Sequence, residues 1–366
     1  MSNVVVVGAG AGGRAVAADL SLQGHRVTLL QAPSHSGSLD DLRGGKILLE
    51  SLPSCGRPGG QAQLHLVTVD PSEALKGPAA VFVVVPSYAQ SDVADFLAPH
   101  LREFHQVCLM PGNLLGAVAF VRQLRAGGND AVTHVAETDS MIFTASRTAG
   151  GVSVRGFKDG MGVAAFPAEG GEELLKSLRA IYPALTVSPT VLETGLSNPN
   201  VLIHVPLTVL NWANAERGLD MLSYYGAFTP GIGRVIEALD GERMALASRG
   251  VAIRPVVSLL GDWYRKQGAS GSSIFQLIST NPLYKNSKLP KSTNHRYIIE
   301  DVPFGLVPAA DLLNRFGLPN AVHLSLITLA SLASGTDFQA AGRSLRGMGY
   351  NWSGEEILDR VRRRGL

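Results

Sequence analysis

Cysteine, net charge and metal-binding patterns are all scarce in this chain of 366 residues. Its two cysteines, Cys55 and Cys108, form neither a CxxC pair nor a zinc-like spacing. Neither a disulfide framework nor a metal site is therefore expected, and a reducing compartment fits best. Lys and Arg number 32 against 30 Asp and Glu, a net charge of +2. So small an excess provides no general attraction to nucleic acid or to a membrane surface.

Long apolar runs are also missing. The longest, residues 321–333, is interrupted by His323 and by hydroxyl side chains, and it is too short to span about 30 Å of hydrocarbon. The apolar residues 4–7 follow no basic segment and lead into glycines, unlike a signal peptide. We therefore expect a cytoplasmic protein whose partners are small-molecule substrates, with no nucleic acid and no membrane among them. The sequence leaves the oligomeric state open, and a homodimer is compatible with it.

Apolar residues make up 45% of the chain, and in the N-terminal part they form a strand and helix pattern. Short β-branched runs alternate there with helix-like stretches. The strand candidates are residues 3–7, 26–30, 79–85, 106–110 and 133–136. Several are continuously apolar, as strands buried on both faces should be. Strand, helix and strand at this spacing predict an α/β fold, with an N-terminal Rossmann-type doubly wound parallel sheet.

After residue 188 the pattern changes to that of a mostly α-helical domain. The helix candidates are residues 198–215, 239–247, 255–267, 309–316 and 321–334. Residues 268–307, rich in Ser, Asn, Pro and Lys, are predicted as one long loop, and loops of that length are often functional. The chain is longer than the roughly 250–300 residues that one core usually supports. We therefore predict a dinucleotide-binding domain, residues 1–187, and a helical substrate-binding and catalytic domain, residues 188–366.

A glycine-rich motif follows the first predicted strand. Residues 8–13, Gly-Ala-Gly-Ala-Gly-Gly, match GxGxxG between a strand and a helix, which is the context that a dinucleotide-binding motif requires. Gly8 would permit the tight turn, Gly10 would let the backbone approach the pyrophosphate, and Gly13 would allow close packing of helix on strand. The N–H groups of the first helical turn, from Ala11 onward, would face the phosphates.

The end of the second strand normally carries the group that selects the cofactor ribose. That position is Gln31, not Asp or Glu. No carboxylate is therefore present to accept the 2′-hydroxyl of NAD or to repel the 2′-phosphate of NADP. No arginine follows directly, and the nearest polar candidates are Ser34, His35 and Arg43. We expect NADP to be bound at least as well as NAD.

Two later strand ends are also expected to face the cofactor, because open α/β sheets bind ligands at the carboxyl ends of their strands. Pro86 and Ser87 follow one predicted strand, and Glu137 follows another. The predicted cofactor-binding residues are Gly8, Gly10, Ala11, Gly13, Gln31, Pro86, Ser87 and Glu137.

A helix predicted to begin at Asn198 and Pro199 is apolar except for one polar stripe. The polar members are Asn200, His204, Thr208 and Asn211, at intervals of 4, 4 and 3 residues. Those intervals place all four on one face, where they must meet water, a ligand or another polar group. Pro206 cannot donate a backbone hydrogen bond and is predicted to kink the helix beside His204. His204 could therefore be a buried core histidine or a catalytic residue. In the second interpretation, Asn200 and Thr208 are candidates for substrate binding.

A second polar cluster lies at residues 294–305. Its Arg296 could grip a substrate carboxylate through a bidentate fork, and a carboxylate of the cluster could orient and charge a histidine. Arg296 and Glu300, four residues apart, could equally form a surface ion pair. Spacing alone leaves both interpretations open.

Taken together, these segments resemble the opine dehydrogenases, the octopine/nopaline dehydrogenase family. The matching segments, which run over nearly the whole chain, are residues 8–13, 137–139, 197–211, 224–226, 240–243, 296–297 and 300–303. The resemblance implies that the amino group of an amino acid condenses with a 2-oxo acid such as pyruvate, and that NAD(P)H reduces the imine to an N-(carboxyalkyl)amino acid. It also implies an active site in the cleft between the domains, with His204 and Asp301 as a catalytic pair and Arg296 as a ligand of a substrate carboxylate.

Two other functions are weighed against this one. A ketone or 2-oxo acid reductase resembling ketopantoate reductase would share the two-domain plan, but it would be expected to use a catalytic Lys where this chain offers His204. A dinucleotide-sensing protein without activity would keep the fold, and the intact His204, Arg296 and Asp301 argue against such decay. A requirement for an amine in cofactor oxidation separates the first alternative from the opine reaction.

Overall fold

In the computed structural model, which describes residues 1–52 and 55–366 apart from the side chains of Arg43 and Lys266, the chain forms two compact units. Unit 1 comprises Met1–Thr194 and Arg360–Leu366, and unit 2 comprises Gly195–Asp359. The division predicted after residue 187 therefore falls seven residues before the observed one.

The last residues of the chain belong to unit 1, although the prediction assigned them to the helical domain. Backbone hydrogen bonds explain this, because the N–H groups of Ala168 and Glu169 donate to the carbonyls of Val361 and Arg362 at 2.9 and 2.8 Å. The N-terminal unit thus holds the C-terminal segment through main-chain contacts that side-chain patterns do not encode.

Unit 1 contains a main β-sheet and a smaller one. The strands are β1 (Asn3–Val7), β2 (Arg26–Leu30), β3 (Lys46–Ser51), β4 (Gly60–Gln63), β5 (Leu66–Thr68), β6 (Ala80–Val83), β7 (Gln106–Leu109), β8 (Val135–Thr138), β9 (Phe143–Thr148), β10 (Gly151–Phe157), β11 (Met161–Phe166) and β12 (Leu185–Val187). The main sheet has the order β12-β11-β8-β7-β6-β1-β2-β5, and its neighbouring strands are parallel except for β8 and β11. The predicted Rossmann-type parallel sheet is confirmed.

Helices cover this sheet, and the first of them sits at the glycine-rich motif. The helices of the unit are α1 (Ala11–Leu22), α2 (Pro71–Ala74), α3 (Gln90–Leu97), α4 (Gly116–Ala126) and α5 (Glu172–Ile181), and α6 (Val191–Leu196) spans the sequence boundary between the units. The smaller sheet, in the order β4-β3-β10-β9, packs against α1, which also contacts β1 and β2 of the main sheet. Packing against both sheets buries most of α1, and most of its buried residues are small and apolar.

Unit 2 is helical, as predicted for the C-terminal domain. Its helices are α7 (Pro199–Val209), α8 (Trp212–Glu216), α9 (Pro230–Met244), α10 (Val256–Tyr264), α11 (Ile274–Ser279), α12 (Arg296–Ile299), α13 (Val307–Arg315), α14 (Ala321–Ser334), α15 (Phe338–Ala341) and α16 (Gly354–Asp359), with π-helical turns at Ser223–Ala227 and Val302–Leu306. The core is an apolar cluster to which α7, α9, α10, α11, α13 and α14 contribute. Residues Val205, Leu207, Ile236 and Leu239 are completely buried in it.

The prediction of one non-helical stretch over residues 268–307 is wrong, because this stretch includes α11, α12 and a π-helical turn. A capping box starts α11, in which the side chains of Ser273 and Gln276 bond reciprocally to the backbone, so local side chains form a helix too short to show a period. The stretch 198–215, predicted as one helix, is divided into α7 and α8 at Leu210 and Asn211.

Within residues 1–52 and 55–366, no helix has both the length and the apolar character needed to cross a bilayer. Over the same residues, no group of three or more His, Cys, Asp and Glu side chains is arranged to bind a metal ion.

Candidate functional site

The glycine-rich loop of unit 1 has the geometry that dinucleotide binding needs. Gly8 has a φ of +110°, and a Cβ there would lie 2.4 Å from the carbonyl oxygen of Val84. A Cβ on Gly13 would lie 1.8 Å from the carbonyl oxygen of Gly8, so only glycine lets α1 approach the turn. A Cβ on Gly10, the residue that precedes α1, would meet no atom within 4 Å. The loop thus leaves space beside the first-turn N–H groups of α1, where a pyrophosphate fits.

Gln31 is attached to this loop. Its Oε1 accepts a hydrogen bond of 2.7 Å from the N–H of Ala9, and its backbone N–H donates to the carbonyl of Thr68 at 3.1 Å. The side chain at the predicted ribose-selecting position therefore also supports the glycine-rich turn, which spacing alone did not indicate. Of the other polar candidates, Ser34 and His35 contact each other at 3.0 Å, and the Arg43 side chain lies outside the described part.

Sequence reasoning missed Arg14, which is completely buried next to the glycines. Its guanidinium donates to both carboxylate oxygens of Asp41, at 2.9 and 2.6 Å, and its Nε donates to the carbonyl of Ala9 at 3.0 Å. Hydrogen bonds from Arg14, more than its charge, hold the pKa of Asp41 well below its usual range. An arginine inside an otherwise small and apolar helix was the available signal, because a buried charge needs a partner.

The predicted residues at the later strand ends lie in ordered turns. Pro86 precedes a single 3₁₀ turn that begins at the buried Ser87, whose hydroxyl accepts a hydrogen bond from the side-chain amide of Asn113. Asn113 and Leu115, which follow β7, have φ values of 55° and 61°. A positive φ in a leucine costs energy, and residues with such φ values are more frequent at functional sites.

Glu137 is completely buried and supports the fold around it. Its Oε2 accepts a hydrogen bond of 2.7 Å from the N–H of Ala117 in the first turn of α4, and its Oε1 accepts one of 2.9 Å from the hydroxyl of Thr194. A Cβ on Gly112 would lie 2.3 Å from Oε2, so the β7 turn packs directly on this carboxylate. Contact of Glu137 with the cofactor stays a prediction.

In unit 2, His204 and Asp301 are in contact. Nδ1 of His204 lies 2.8 Å from Oδ2 of Asp301, and the side chains are 12% and 6% exposed. His204 is on α7, which begins at Asn198 with a side-chain cap and continues through Pro206 to Val209. Asp301 directly precedes the π-helical turn Val302–Leu306, which packs on α7. A buried carboxylate beside Nδ1 holds the imidazole in a fixed orientation.

Two aromatic side chains accompany this pair and were not predicted. The ring of Tyr297 is stacked on the imidazole of His204, with centroids 3.5 Å apart and planes at 13°. His295 meets Tyr297 edge-on, with centroids 4.5 Å apart. Burial, and then the proximity of His204 and Arg296, lowers the pKa of His295. Residues 294–297 thus contribute aromatic rings near His204, in addition to Arg296.

The remaining members of the polar stripe have different surroundings. The backbone N–H of Asn200 donates a hydrogen bond of 3.1 Å to Oδ1 of Asn198. The side-chain amide of Asn211 donates to the carbonyls of Leu207 and Ala227. Thr208 is completely buried, and its hydroxyl has no hydrogen-bond partner among the described residues. Substrate contact by Asn200 and Thr208 stays a prediction.

Arg296 is 60% exposed, and its Nε lies 3.5 Å from Oε2 of the buried Glu300. The ion pair inferred from the spacing is therefore present. It occupies only part of the guanidinium surface, so it does not exclude the second interpretation, a substrate carboxylate bound by Arg296.

The motif Asp240–Arg243 has a structural role in α9. Arg243, which is 2% exposed, bonds to Oδ1 of Asp240 at 2.6 Å and to the carbonyl of Leu196 at 3.0 Å. The carboxylate of Glu242 accepts hydrogen bonds from the N–H groups of Val322 and His323 at 2.8 and 3.1 Å, which caps α14. These contacts fix α9 and α14 around α7.

Comparison with known proteins identifies relatives of this chain. A family model described as the NAD/NADP octopine/nopaline dehydrogenase, α-helical domain, matches residues 187–334. The opine dehydrogenase of Arthrobacter sp. (strain 1C) is 32% identical to this chain over 348 residues, 94% of each protein. An octopine dehydrogenase solved with NADH and L-arginine has a TM-score of 0.81 at 17% identity, covering 98% of both chains. A yersinopine dehydrogenase with NADP⁺ has a TM-score of 0.70 at 14% identity, covering 99% of this chain and 98% of the other.

The two solved structures share the fold, and the Arthrobacter protein shares close to a third of the residues along nearly the full length. The family model falls on the helical unit that carries His204, Arg296 and Asp301. With a nucleotide-type loop in one unit and these residues in the other, the chain belongs to the opine dehydrogenase family.

Proposed function

We propose that this chain catalyses the NAD(P)H-dependent condensation of the amino group of an amino acid with a 2-oxo acid, such as pyruvate, to an N-(carboxyalkyl)amino acid. The observation that carries the proposal is the contact of 2.8 Å between His204 and Asp301, in a chain 32% identical to an opine dehydrogenase. An oxidoreductase acting on a CH–NH bond needs a group that gives and takes a proton, and a buried carboxylate–imidazole pair is such a group.

The cofactor would be held in unit 1. The space beside Gly10 and the close contacts at Gly8 and Gly13 fit a pyrophosphate at the start of α1. When bound, NAD(P)H supplies the hydride that reduces the imine carbon. Ala11, Pro86, Ser87 and Glu137 would line the rest of the site. We expect NADP(H) to bind at least as well as NAD(H), because Gln31 puts no negative charge near the 2′-phosphate.

His204 would act as the acid in the direction of condensation. Its imidazolium donates a hydrogen bond to the oxygen of the 2-oxo group and gives up a proton as that oxygen leaves as water from the carbinolamine. Asp301 stabilises the imidazolium before the transfer and keeps the ring oriented during it. Positioned acid catalysis of this kind is worth about 10²- to 10⁴-fold in rate.

Arg296 would bind a substrate carboxylate, because its exposed guanidinium can form a fork that an ammonium group cannot reproduce. Asn200, one turn before His204 on α7, would contact the same substrate. Thr208 would contribute only after a side-chain rearrangement, since its hydroxyl is buried.

The setting of the reaction follows from composition. With a net charge of +2, we expect small-molecule substrates and neither nucleic acid nor a membrane as a partner. The two unpaired cysteines favour the cytoplasm, and a homodimer is compatible with all the steps above.

A matrix of 2-oxo acids and amines, scored by oxidation of NADPH and NADH, tests the proposal. We expect oxidation only where both an oxo acid and an amino acid are present. Oxidation with an oxo acid alone would indicate a reductase of the ketopantoate reductase kind. Dinucleotide binding with no turnover in any well would indicate a sensing protein.

A further inference from the structure

The imidazole of His204 is held by two contacts, one at its edge and one on its face. Asp301 binds its edge at Nδ1, 2.8 Å away, and Tyr297 covers its face at a centroid distance of 3.5 Å and an interplanar angle of 13°. A hydrogen bond at one edge leaves the ring free to swing about the bond axis. Because terminal ring torsions of histidine are broad, contact with a flat surface is what fixes the plane.

Tyr297 is itself held firmly. It lies in the first turn of α12, and its backbone N–H donates to Nδ1 of His295 at 3.3 Å, while the His295 ring packs edge-on against it at 4.5 Å. Burial, and then the neighbouring Tyr297, raises the pKa of Tyr224, which is 6% exposed.

The support continues beyond Tyr224. The ring of Tyr224 lies 4.6 Å from that of Tyr284, and Tyr284 lies 5.4 Å from Tyr264. Aromatic rings at these separations are bound by specific edge and face contacts as well as by burial. Tyr297 therefore presents a surface to His204 that cannot easily turn away.

We propose that Tyr297 is a positioning residue for the reaction, and that its ring sets the plane in which His204 points toward the substrate. The inference rests on the proposed function, because it assigns Tyr297 a role only through His204. The electron-rich ring face also stabilises an imidazolium lying on it, so the stack supports the charged form that the condensation direction needs. The ring, and not the hydroxyl, makes this contact.

Two substitutions separate the ring from the hydroxyl. Tyr297→Leu removes the flat surface but keeps an apolar side chain, and it should lower kcat about 10- to 100-fold, because misplacing a reacting group by about 1 Å costs that much. Tyr297→Phe keeps the ring, and it should retain kcat within about twofold. For both variants, KM for the oxo acid and Kd for NADPH should change little.

A matched control removes a similar stack elsewhere in unit 2. Tyr350 and Trp352 are stacked with centroids 4.2 Å apart at 15°, and Tyr350→Leu should leave kcat unchanged. Thermal unfolding of all the variants shows whether a lost stack destabilises the protein. A lower unfolding midpoint without a change in kcat for Tyr297→Leu would reduce Tyr297 to a structural residue.

The other outcomes are equally distinct. Equal losses of kcat in Tyr297→Leu and Tyr297→Phe would assign the role to the hydroxyl and overturn the proposal. Wild-type turnover in the matrix of oxo acids and amines tests the proposed function, and addition of His204→Ala tests the role of His204 separately. If His204→Ala keeps turnover, the catalytic role of His204 fails and the positioning role fails with it; if His204→Ala abolishes turnover while Tyr297→Leu does not, only the positioning role fails. In a double variant, Tyr297→Leu should cost nothing further once His204 is absent.

Discussion

Gly305 lies so close to Val201 that a Cβ on this glycine would be 2.5 Å from Cγ1 of the valine. Gly305 belongs to the π-helical turn after Asp301, and Val201 belongs to the first turn of α7, one turn before His204. Val201 is β-branched and cannot move aside easily. The absence of a side chain at residue 305 therefore lets the turn approach α7 closely enough for Asp301 to reach His204.

Gly305→Ala should push the turn away from α7 and loosen the contact between Asp301 and His204. We expect kcat to fall about tenfold or more and the free energy of unfolding to fall by about 1–3 kcal/mol. Steady-state kinetics and urea unfolding measure both. Gly241→Ala is the control, because a Cβ at that position of α9 would meet no atom within 4 Å. Unchanged turnover in Gly305→Ala would contradict the spacer role.

Gln31→Glu should turn the cofactor preference toward NADH. Glutamate has the same side-chain length as glutamine, and its carboxylate can still accept the hydrogen bond from the Ala9 N–H that Gln31 accepts at 2.7 Å, so the glycine-rich turn should survive. Its charge would repel a 2′-phosphate and bind a 2′-hydroxyl. Fluorescence titrations with both dinucleotides should show Kd for NADPH rising about tenfold, roughly 1.4 kcal/mol. A wild-type protein that clearly prefers NADH would refute the underlying expectation.

The bounds of some strands and helices could be predicted, because they depend on local composition. β1 and β2 have the bounds expected from their apolar runs, and α14 has those expected from its helical period. Strands β3 and β4 of the smaller sheet could not be found in this way. They have only six and four residues, half of which are exposed, and they gain their stability by packing on α1.

The site shows the same division. The polar stripe and the resemblance placed His204 and Asp301 in one group, but the two residues are 97 positions apart, so no spacing can show the contact. Arg14 and Tyr297 were missed for a related reason. Each contacts a partner that is distant in sequence, Asp41 for Arg14 and His204 for Tyr297. Only the folded chain brings these partners together.

Arg296→Lys should raise KM for one substrate about tenfold or more, because an ammonium cannot form the planar fork. Kd for NADPH should not change, since the glycine-rich loop is in unit 1. Glu300→Gln is the companion variant, as it weakens the ion pair of 3.5 Å without touching the guanidinium. If both variants leave KM unchanged, Arg296 serves only as the ion-pair partner of Glu300.

His204→Ala and Asp301→Ala should each depress kcat by about 10²- to 10⁴-fold. The double variant should be little worse than the poorer single one, because residues that act as a unit are not additive. Condensation needs the protonated ring and the reverse oxidation needs the unprotonated one, so the forward reaction should have the lower pH optimum. Fully additive losses, or coincident optima, would remove the pair from the mechanism.

Asp139 should make the stability of unit 1 depend on pH. Its carboxyl is buried beside Gly162, whose N–H donates to Oδ2 at 2.8 Å, while Oδ1 has no partner among the described residues. Burial raises the pKa of Asp139 from its ordinary value of 3.8 to about 7, against the opposing hydrogen bond from Gly162 and the charge of Lys158. The folded state therefore holds this proton more tightly than the unfolded state does.

The stability of unit 1 should therefore fall as the pH rises. Below about pH 4 both states are protonated and the stabilising contribution is complete; between about pH 4 and pH 7 only the unfolded state releases the proton, so stability falls by at most about 1.4 kcal/mol per pH unit. Asp139→Asn keeps an acceptor for Gly162 and cannot ionise, so it should raise the urea midpoint at pH 8 and change it little at pH 4. Substitution of the exposed Asp159 controls for the loss of one negative charge. A midpoint for Asp139→Asn that is lower than wild type at pH 8 would show that the ionised carboxylate stabilises the unit through Lys158 instead.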